Sequence, residues 1–356
     1  MTRKLLFLLI VVLPSILSAQ DKETPFTFSG YLDLYYGYDV NKPINNSRPD
    51  FIYSYNRANE ITVNLAYVKM AYATTRVRAN IALMTGTYAN ANLASEPGVL
   101  KNIFEANVGV KISAKKNMWI DAGIFPSHIG FESAIGKDCW NVTRSMLADN
   151  TPYYESGVKL TYSSDNDHWL FSALLLNGWQ KIQRIDGSTS PSFGSQVTFK
   201  PSEKITLNSS SFIGTNSPDS ARLMRYFHNF YGIFQVSKRV GIIAGFDCGI
   251  QNQEPRGHFN SWYSPVIIAR AALNEIFTIA VRGEYYADPH GVIIRTTTPN
   301  GFKTTGYSAN LDCKISDNAV WRIEARALKS KDQVFTRDHT RASDDVFFTT
   351  SLAVSF

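Results

Sequence analysis

The residues of this chain that could do chemistry are spread along it and mostly alternate with apolar ones. Arg76 and Arg78, Glu105 and Lys111, Asp121, Arg270, Arg282 and Glu284, Asp312, and the trio Arg322, Glu324 and Arg326 follow this pattern. Side chains of an extended strand point to opposite faces with period two, so this spacing gathers the charges of a segment on one face and leaves the other apolar. Such a face is a charged wall, not a catalytic cluster. The six histidines are His128, His168, His228, His258, His290 and His339, and no nucleophile motif accompanies them. Only His228 falls on an apolar face near the middle of a strand, where packing is the simpler role for it. No phosphate loop or metal-ligand spacing appears, so no cofactor, no metal and no enzymatic activity are expected. Cys248 and Cys313 sit at apolar-face positions and Cys139 in a loop. Three cysteines are too few for a secreted disulfide scaffold.

The elements that carry these charges are strands. Helical stripes with caps are absent, and a pair of alternating segments joined by a tight turn, then a longer polar loop, recurs instead. Outward apolar sets are Phe28, Leu32, Leu34, Tyr36; Ile61, Val63, Leu65, Tyr67; Val77, Ala79, Ile81, Leu83; Phe104, Ala106, Val108, Val110; and Met118, Ile120, Ala122, Ile124. The same rhythm continues to the C-terminus. There Phe348, Thr350, Leu352, Val354 and the terminal Phe356 share one face. The segment from Trp169 to Leu176 is apolar on both faces and leaves its register open.

At the other end Arg3 and Lys4 precede an apolar run from Leu5 to Leu13, then Pro14, Ser18 and Ala19. A charged start, a short apolar core and small residues make a secretory signal, expected over residues 1–20 and too short to span a bilayer as a helix. The net charge of +6 loses two with that segment, too mild a balance to argue for nucleic acid. Aromatics make up 13% of the residues and charged residues 19%.

About sixteen strands of roughly ten residues, with short turns at one end and long loops at the other, predict an all-β fold. It is a closed transmembrane antiparallel up-and-down β-barrel over 21–356, in the outer membrane of a Gram-negative cell. Periplasmic turns and extracellular loops follow from that topology. Closure is required, because an open edge would leave backbone groups unpaired in hydrocarbon. Aromatics near strand ends, Tyr35, Tyr36, Trp119, Tyr153, Tyr154, Trp262, Tyr263, Tyr285 and Tyr286, are expected to form the interfacial girdles.

Four segments carry a family resemblance: 28–39 (FSGYLDLYYGYD), 122–133 (AGIFPSHIGFES), 143–162 (TRSMLADNTPYYESGVKLTY) and the terminal SLAVSF. With these the chain resembles the OmpL-like β-barrel porins of Bacteroidetes, over most of the mature length. The resemblance implies an outer-membrane porin without catalytic residues, and it names no solute.

A sixteen-stranded barrel is wide enough for an aqueous channel. Passive diffusion of small hydrophilic solutes or ions is therefore the expected function. The charges named above would line the pore. Over all strands the inward set holds eleven cations and eight anions, which predicts a weak anion preference unless Arg282/Glu284 and Arg322/Glu324/Arg326 form ladders that merely brace the wall. Residues 126–152, the third long loop, are expected to constrict the lumen, with Glu132, Lys137, Asp138, Arg144 and Asp149 meeting solute. Phe356 would be the signal for the barrel-assembly machinery, the other partners being outer-membrane lipid, the solute and, as in many porins, further copies of the chain. Two alternatives remain at this stage: a non-conducting barrel serving adhesion or envelope structure, and an outer-membrane lipid hydrolase. Gly109, Gly245, Gly249 and Ser351 speak for open space inside, against the first.

Overall fold

The computed structural model describes residues 24–254 and 257–356; the signal segment expected over 1–20 lies outside them. Sixteen antiparallel strands close into one barrel. They are β1 (Phe26–Asp39), β2 (Ile61–Ala73), β3 (Val77–Thr85), β4 (Ile103–Lys111), β5 (Asn117–Pro126), β6 (Tyr154–Ser163), β7 (Trp169–Leu176) and β8 (Ser192–Ser202). Then come β9 (Ile205–Thr215), β10 (Met224–Gln235), β11 (Val240–Asn252), β12 (Phe259–Ala272), β13 (Phe277–Asp288), β14 (Phe302–Ser316) and β15 (Ala319–Ser330). A two-stranded flap, β16 (Phe335–Arg337) with β17 (Thr340–Ala342), precedes the last wall strand, β18 (Asp344–Ser355). Each strand pairs with its sequence neighbour, and β18 pairs with β1 to close the ring.

The strands form because aromatic and β-branched residues alternate with polar ones, and each apolar row needs the same outward face. Leu32, Leu34, Phe230, Ile267, Val281, Tyr307, Ile323, Phe348 and Leu352 are all exposed on the outside, where lipid would meet them. Short turns are set by side chains that replace the ladder. The Thr74 hydroxyl accepts from Val77 N at 3.0 Å, and the Asn274 carbonyl accepts from Ile276 N and Phe277 N at 2.8 and 2.7 Å. Trp169, Phe171 and Leu175 face outward, while Leu174 and Leu176 are buried inside, which settles the register of β7.

Two β-bulges overturn the alternation read from sequence. In β2 the pairing with β1 slips between Asp33 and Leu34, so Asn64 is the extra residue. After it Val68 and Met70 face out, and Leu65, Tyr67 and Lys69 face in, opposite to the expected assignment of Leu65 and Tyr67. In β4 Ala82 pairs with Glu105 and Leu83 with Ile103, leaving Phe104 without a partner. The bulge turns its ring inward onto Tyr67, with centroids 4.9 Å apart.

The girdle assignments divide. Tyr36, Tyr263 and Tyr285 lie on the outer face, whereas Tyr35, Trp262 and Tyr286 are buried inside and Trp119 points inward over the Arg78 guanidinium. Tyr153 and Tyr154 are buried under loops. These aromatics sit next to outward neighbours in sequence, and a period of two sends every second one into the lumen.

Candidate functional site: the barrel lumen and its third loop

The loop between β5 and β6, residues 127–153, lies across the barrel interior. Its own sequence shapes it first. Ser145 caps the short helix α1 (Met146–Asp149), its hydroxyl accepting from Ala148 N at 3.2 Å. Glu132 accepts from Ser145 N at 3.0 Å and from the Ser145 hydroxyl in a very short contact. The Arg144 guanidinium, fully buried, donates to the carbonyls of Ser133, Val142 and Ala134 and ties the two arms of the loop together.

The loop is then bound to the wall made by β13, β14 and β15. Arg322 donates to Gly136 O at 2.7 Å and Cys139 O at 2.9 Å, while its other edge holds Asp312 at 2.6 Å. Arg282 donates to Thr143 O at 2.7 Å and Arg326 to Arg144 O at 2.9 Å. In return Glu324 accepts from Thr143 N at 2.5 Å and Glu284 from Met146 N at 2.6 Å. Between them the side chains form a ladder: Arg282–Glu324 at 3.1 Å, Arg282–Glu284 at 3.2 Å and Arg326–Glu284 at 2.7 Å. Of these five residues Arg322, Arg326 and Glu324 are 1% exposed, Arg282 2% and Glu284 5%. They face inward as expected, yet the loop backbone covers them, so they touch no water that a solute could share.

A second set of contacts holds the other arm. His128 bridges Glu155 and Ser211 O at 2.8 and 2.9 Å. Burial disfavours a charged imidazole there, but the Glu155 carboxylate outweighs it and the His128 pKa is raised. Asn229 accepts from Gly130 N, and Ser210 donates to His128 O. Phe131 packs where a Cβ on Gly245 would lie, and Trp262 fills the space over Gly249. Asp121 takes the space beside Gly109. Those three glycines admit large neighbours; they do not mark empty volume.

The first long loop, 40–60, also enters the barrel. Tyr55 OH donates to Asp33 at 2.5 Å, Asn64, turned in by its bulge, accepts from Tyr55 N at 3.0 Å, and Ser54 donates to Asp149 at 3.1 Å. Burial pushes the Asp149 carboxyl up to about 7 and raises that of Glu132, against the pull of neighbouring arginines. An aromatic cluster that includes Phe51, Phe227, Trp262, Phe302 and Phe347 fills the extracellular half. Above it a vestibule of about 810 Å³ opens between the loops, with Arg48, Tyr53, Arg295 and Arg341 in its lining.

The facing wall, β2 to β6, is left partly solvated. Cross-strand registers stack its inward residues in rows. One row holds Lys69 and Glu105, joined at 2.9 Å, and the next holds Asn80 and Asn107 at 2.9 Å. Below them come Arg78 with Asp121 at 2.5 Å beside Lys159, then Lys111 with Trp119. Lys69 was missed in the sequence because the β2 bulge flips its face. Arg270 lies over the Trp140 ring at 4.4 Å. Arg76 is not in the lumen at all but in the exposed turn between β2 and β3. Lys137 and Asp138 form the exposed tip of the loop, Lys137 reaching Ser355 at 3.0 Å. Glu132, Arg144 and Asp149 are buried within it.

On the outer wall His228 Nε2 lies 3.0 Å from the Ser209 hydroxyl, a pair made across the register of the neighbouring strands β9 and β10, which no local pattern in the sequence shows. Among the described residues no group of three or more metal-ligating side chains converges.

A closed sixteen-stranded antiparallel barrel crossed by its third loop is the architecture of a porin. Residues 25–356 match the family described as "Putative beta-barrel porin-2, OmpL-like", and the chain belongs to that family of outer-membrane porins. The fold is similar to the anion-selective porin of Comamonas acidovorans, with TM-score 0.62, 9% identity and coverage of 93% of this chain and 99% of that one. It is similar also to OmpF of Salmonella typhi, with TM-score 0.60, 10% identity and coverage of 93% and 97%. The outer-membrane channel DcaP of Acinetobacter baumannii gives TM-score 0.58, 9% identity and coverage of 93% and 97%. At such identities the likeness is one of fold. No curated protein matches the sequence.

Proposed function

We propose that small hydrophilic solutes cross this porin by passive diffusion, between the third loop and the β2–β6 wall. One observation carries the reading: the loop is bound along the β13–β15 wall, while the cations Lys69, Arg78, Lys111 and Lys159 opposite remain partly open to solvent beside the buried carboxylates of Glu105 and Asp121. That wall has four partly open cations against two buried anions, which favours a weak anion preference. The arginine ladder adds nothing to it, its charges being matched and covered. Single-channel recording in a planar bilayer tests both points. Stepwise openings with a reversal potential displaced toward the anion support the reading, and a cation-directed potential overturns the preference.

The aromatic cluster in the extracellular half favours a second reading, a barrel that does not conduct. A folded barrel silent in the same recording would establish it. We read the chain as a channel without enzymatic activity. The His228–Ser209 pair lacks a group to orient the imidazole among the described contacts, and the adjacent backbone N–H groups are engaged in the ladder, leaving no oxyanion donors. Phe356, exposed on the outer face and paired through its backbone with Gly30, is the element we assign to the barrel-assembly machinery.

A further inference from the structure

The bulge in β4 is paired with a second oddity across the lumen. Phe104 is turned inward beside Glu105, and both line a cavity of about 220 Å³ between the β3–β6 wall and the third loop. Glu132 lines the same cavity from the loop side. Its Oε2 is engaged with Ser145, but Oε1 has no hydrogen-bond partner and is buried. A buried carboxylate oxygen left open is costly unless something else satisfies it.

The chemistry of a fitting occupant follows from the three groups. Phe104, backed by the stacked Tyr67 ring, offers a flat apolar surface. Glu105 and Glu132 offer hydrogen-bond acceptors at its rim. Neither carboxylate presents a free charge: Lys69 holds both oxygens of Glu105 at 2.9 Å, and Arg282 lies 3.9 Å from Glu132 Oε1. A cation therefore gains little here and an anion is repelled. A planar aromatic solute would stack but leave the acceptors unmet. A ring with a C–H face and hydroxyls at its edge satisfies both.

We propose that this cavity is a binding subsite for a neutral pyranose sugar on the diffusion path, with Phe104 as the stacking platform and Glu132 as hydroxyl acceptor. The assignment rests on the channel reading given above and names one class among the solutes that the channel passes.

The test compares a pyranose with an acyclic polyol of the same carbon number, glucose against sorbitol, as blockers of ion current through single channels of the full-length protein. Glucose should interrupt the current in a saturable way and sorbitol should not. Phe104→Ala should weaken the block about tenfold, the loss of one stacking contact, and Phe104→Tyr should retain it. Glu132→Gln, which keeps the volume, should weaken it as well. Equal block by the two solutes, or block indifferent to Phe104→Ala, overturns the subsite. If the protein does not conduct, glucose binding to the detergent-solubilised barrel is read by saturation-transfer NMR. Binding lost in Phe104→Ala then upholds the subsite while the channel reading falls, and no binding ends both.

Discussion

The two walls of the lumen carry similar residues and use them in opposite ways. On β13–β15 every guanidinium is spent on loop carbonyls and buried carboxylates. On β2–β6 the ion pairs Lys69–Glu105 and Arg78–Asp121 leave the lysine and arginine side chains 25% and 37% exposed over nearly buried carboxylates. Burial makes the difference. A charge under the loop must be matched, because an unmatched one has no water to turn to, whereas a charge on the open wall is screened. One wall is therefore structural and the other electrostatic.

Substitutions should separate the walls in that order of effect. Arg282→Met would leave Glu324 and Glu132 without their cation and Glu284 with Arg326 alone, at a cost of about 3–5 kcal/mol. Thermal unfolding should fall accordingly, and conductance should rise as the loop loosens. Removing residues 133–143 should raise single-channel conductance with a smaller loss of stability; unchanged conductance would mean that the loop does not set the narrowest point. On the open wall Arg78→Met should cost less than Arg282→Met, because Arg78 is partly exposed and Lys159 remains beside the buried Asp121. Lys111→Glu combined with Lys159→Glu should leave the barrel folded and swing the reversal potential toward cations, an outcome that the buried wall could not produce.

The smallest effect concerns pH. Asp149 joins the first loop to the third, and its pKa of about 7 lies above the ordinary value of 3.8. A carboxyl raised by burial favours the folded loop while protonated, so its contribution is full below about pH 4 and is lost as pH rises through about 7. Loop anchoring, read as protection of the Ser54 and Asn150 amides from hydrogen exchange, should weaken over that range, and Asp149→Asn should flatten the dependence.

Most of the barrel was legible because lipid imposes one rule on every strand: the outward row must be apolar. The rule fails where a strand gains a residue. Asn64 and Phe104 look like ordinary strand residues, and nothing local marks them as bulges, so Leu65, Tyr67 and Phe104 are expected on the wrong face and Lys69 is not expected in the lumen at all. The loop was legible in position and in its mixed content of Ile129, Trp140, Arg144 and Asp149. Its destination was not. That Arg322 would hold Gly136 O and not a solute depends on which wall the loop approaches, a contact between residues 186 positions apart. Likewise the glycines 245 and 249 read as open space, since sequence cannot say whether water or an aromatic ring stands opposite.

The seam between β1 and β18 sets the order in which the molecule can be made. Asp33 receives a hydrogen bond from Ser351, 318 positions later, and Gly30 exchanges backbone hydrogen bonds with the final residue at 2.7 and 3.0 Å. The first strand thus waits for the last one. Until then every intermediate has two raw edges, which cannot rest in hydrocarbon, so strands cannot be inserted one by one as helices can. A chain cut short by even one strand leaves the ring unclosed, and the cell meets a whole barrel or a substrate for proteolysis.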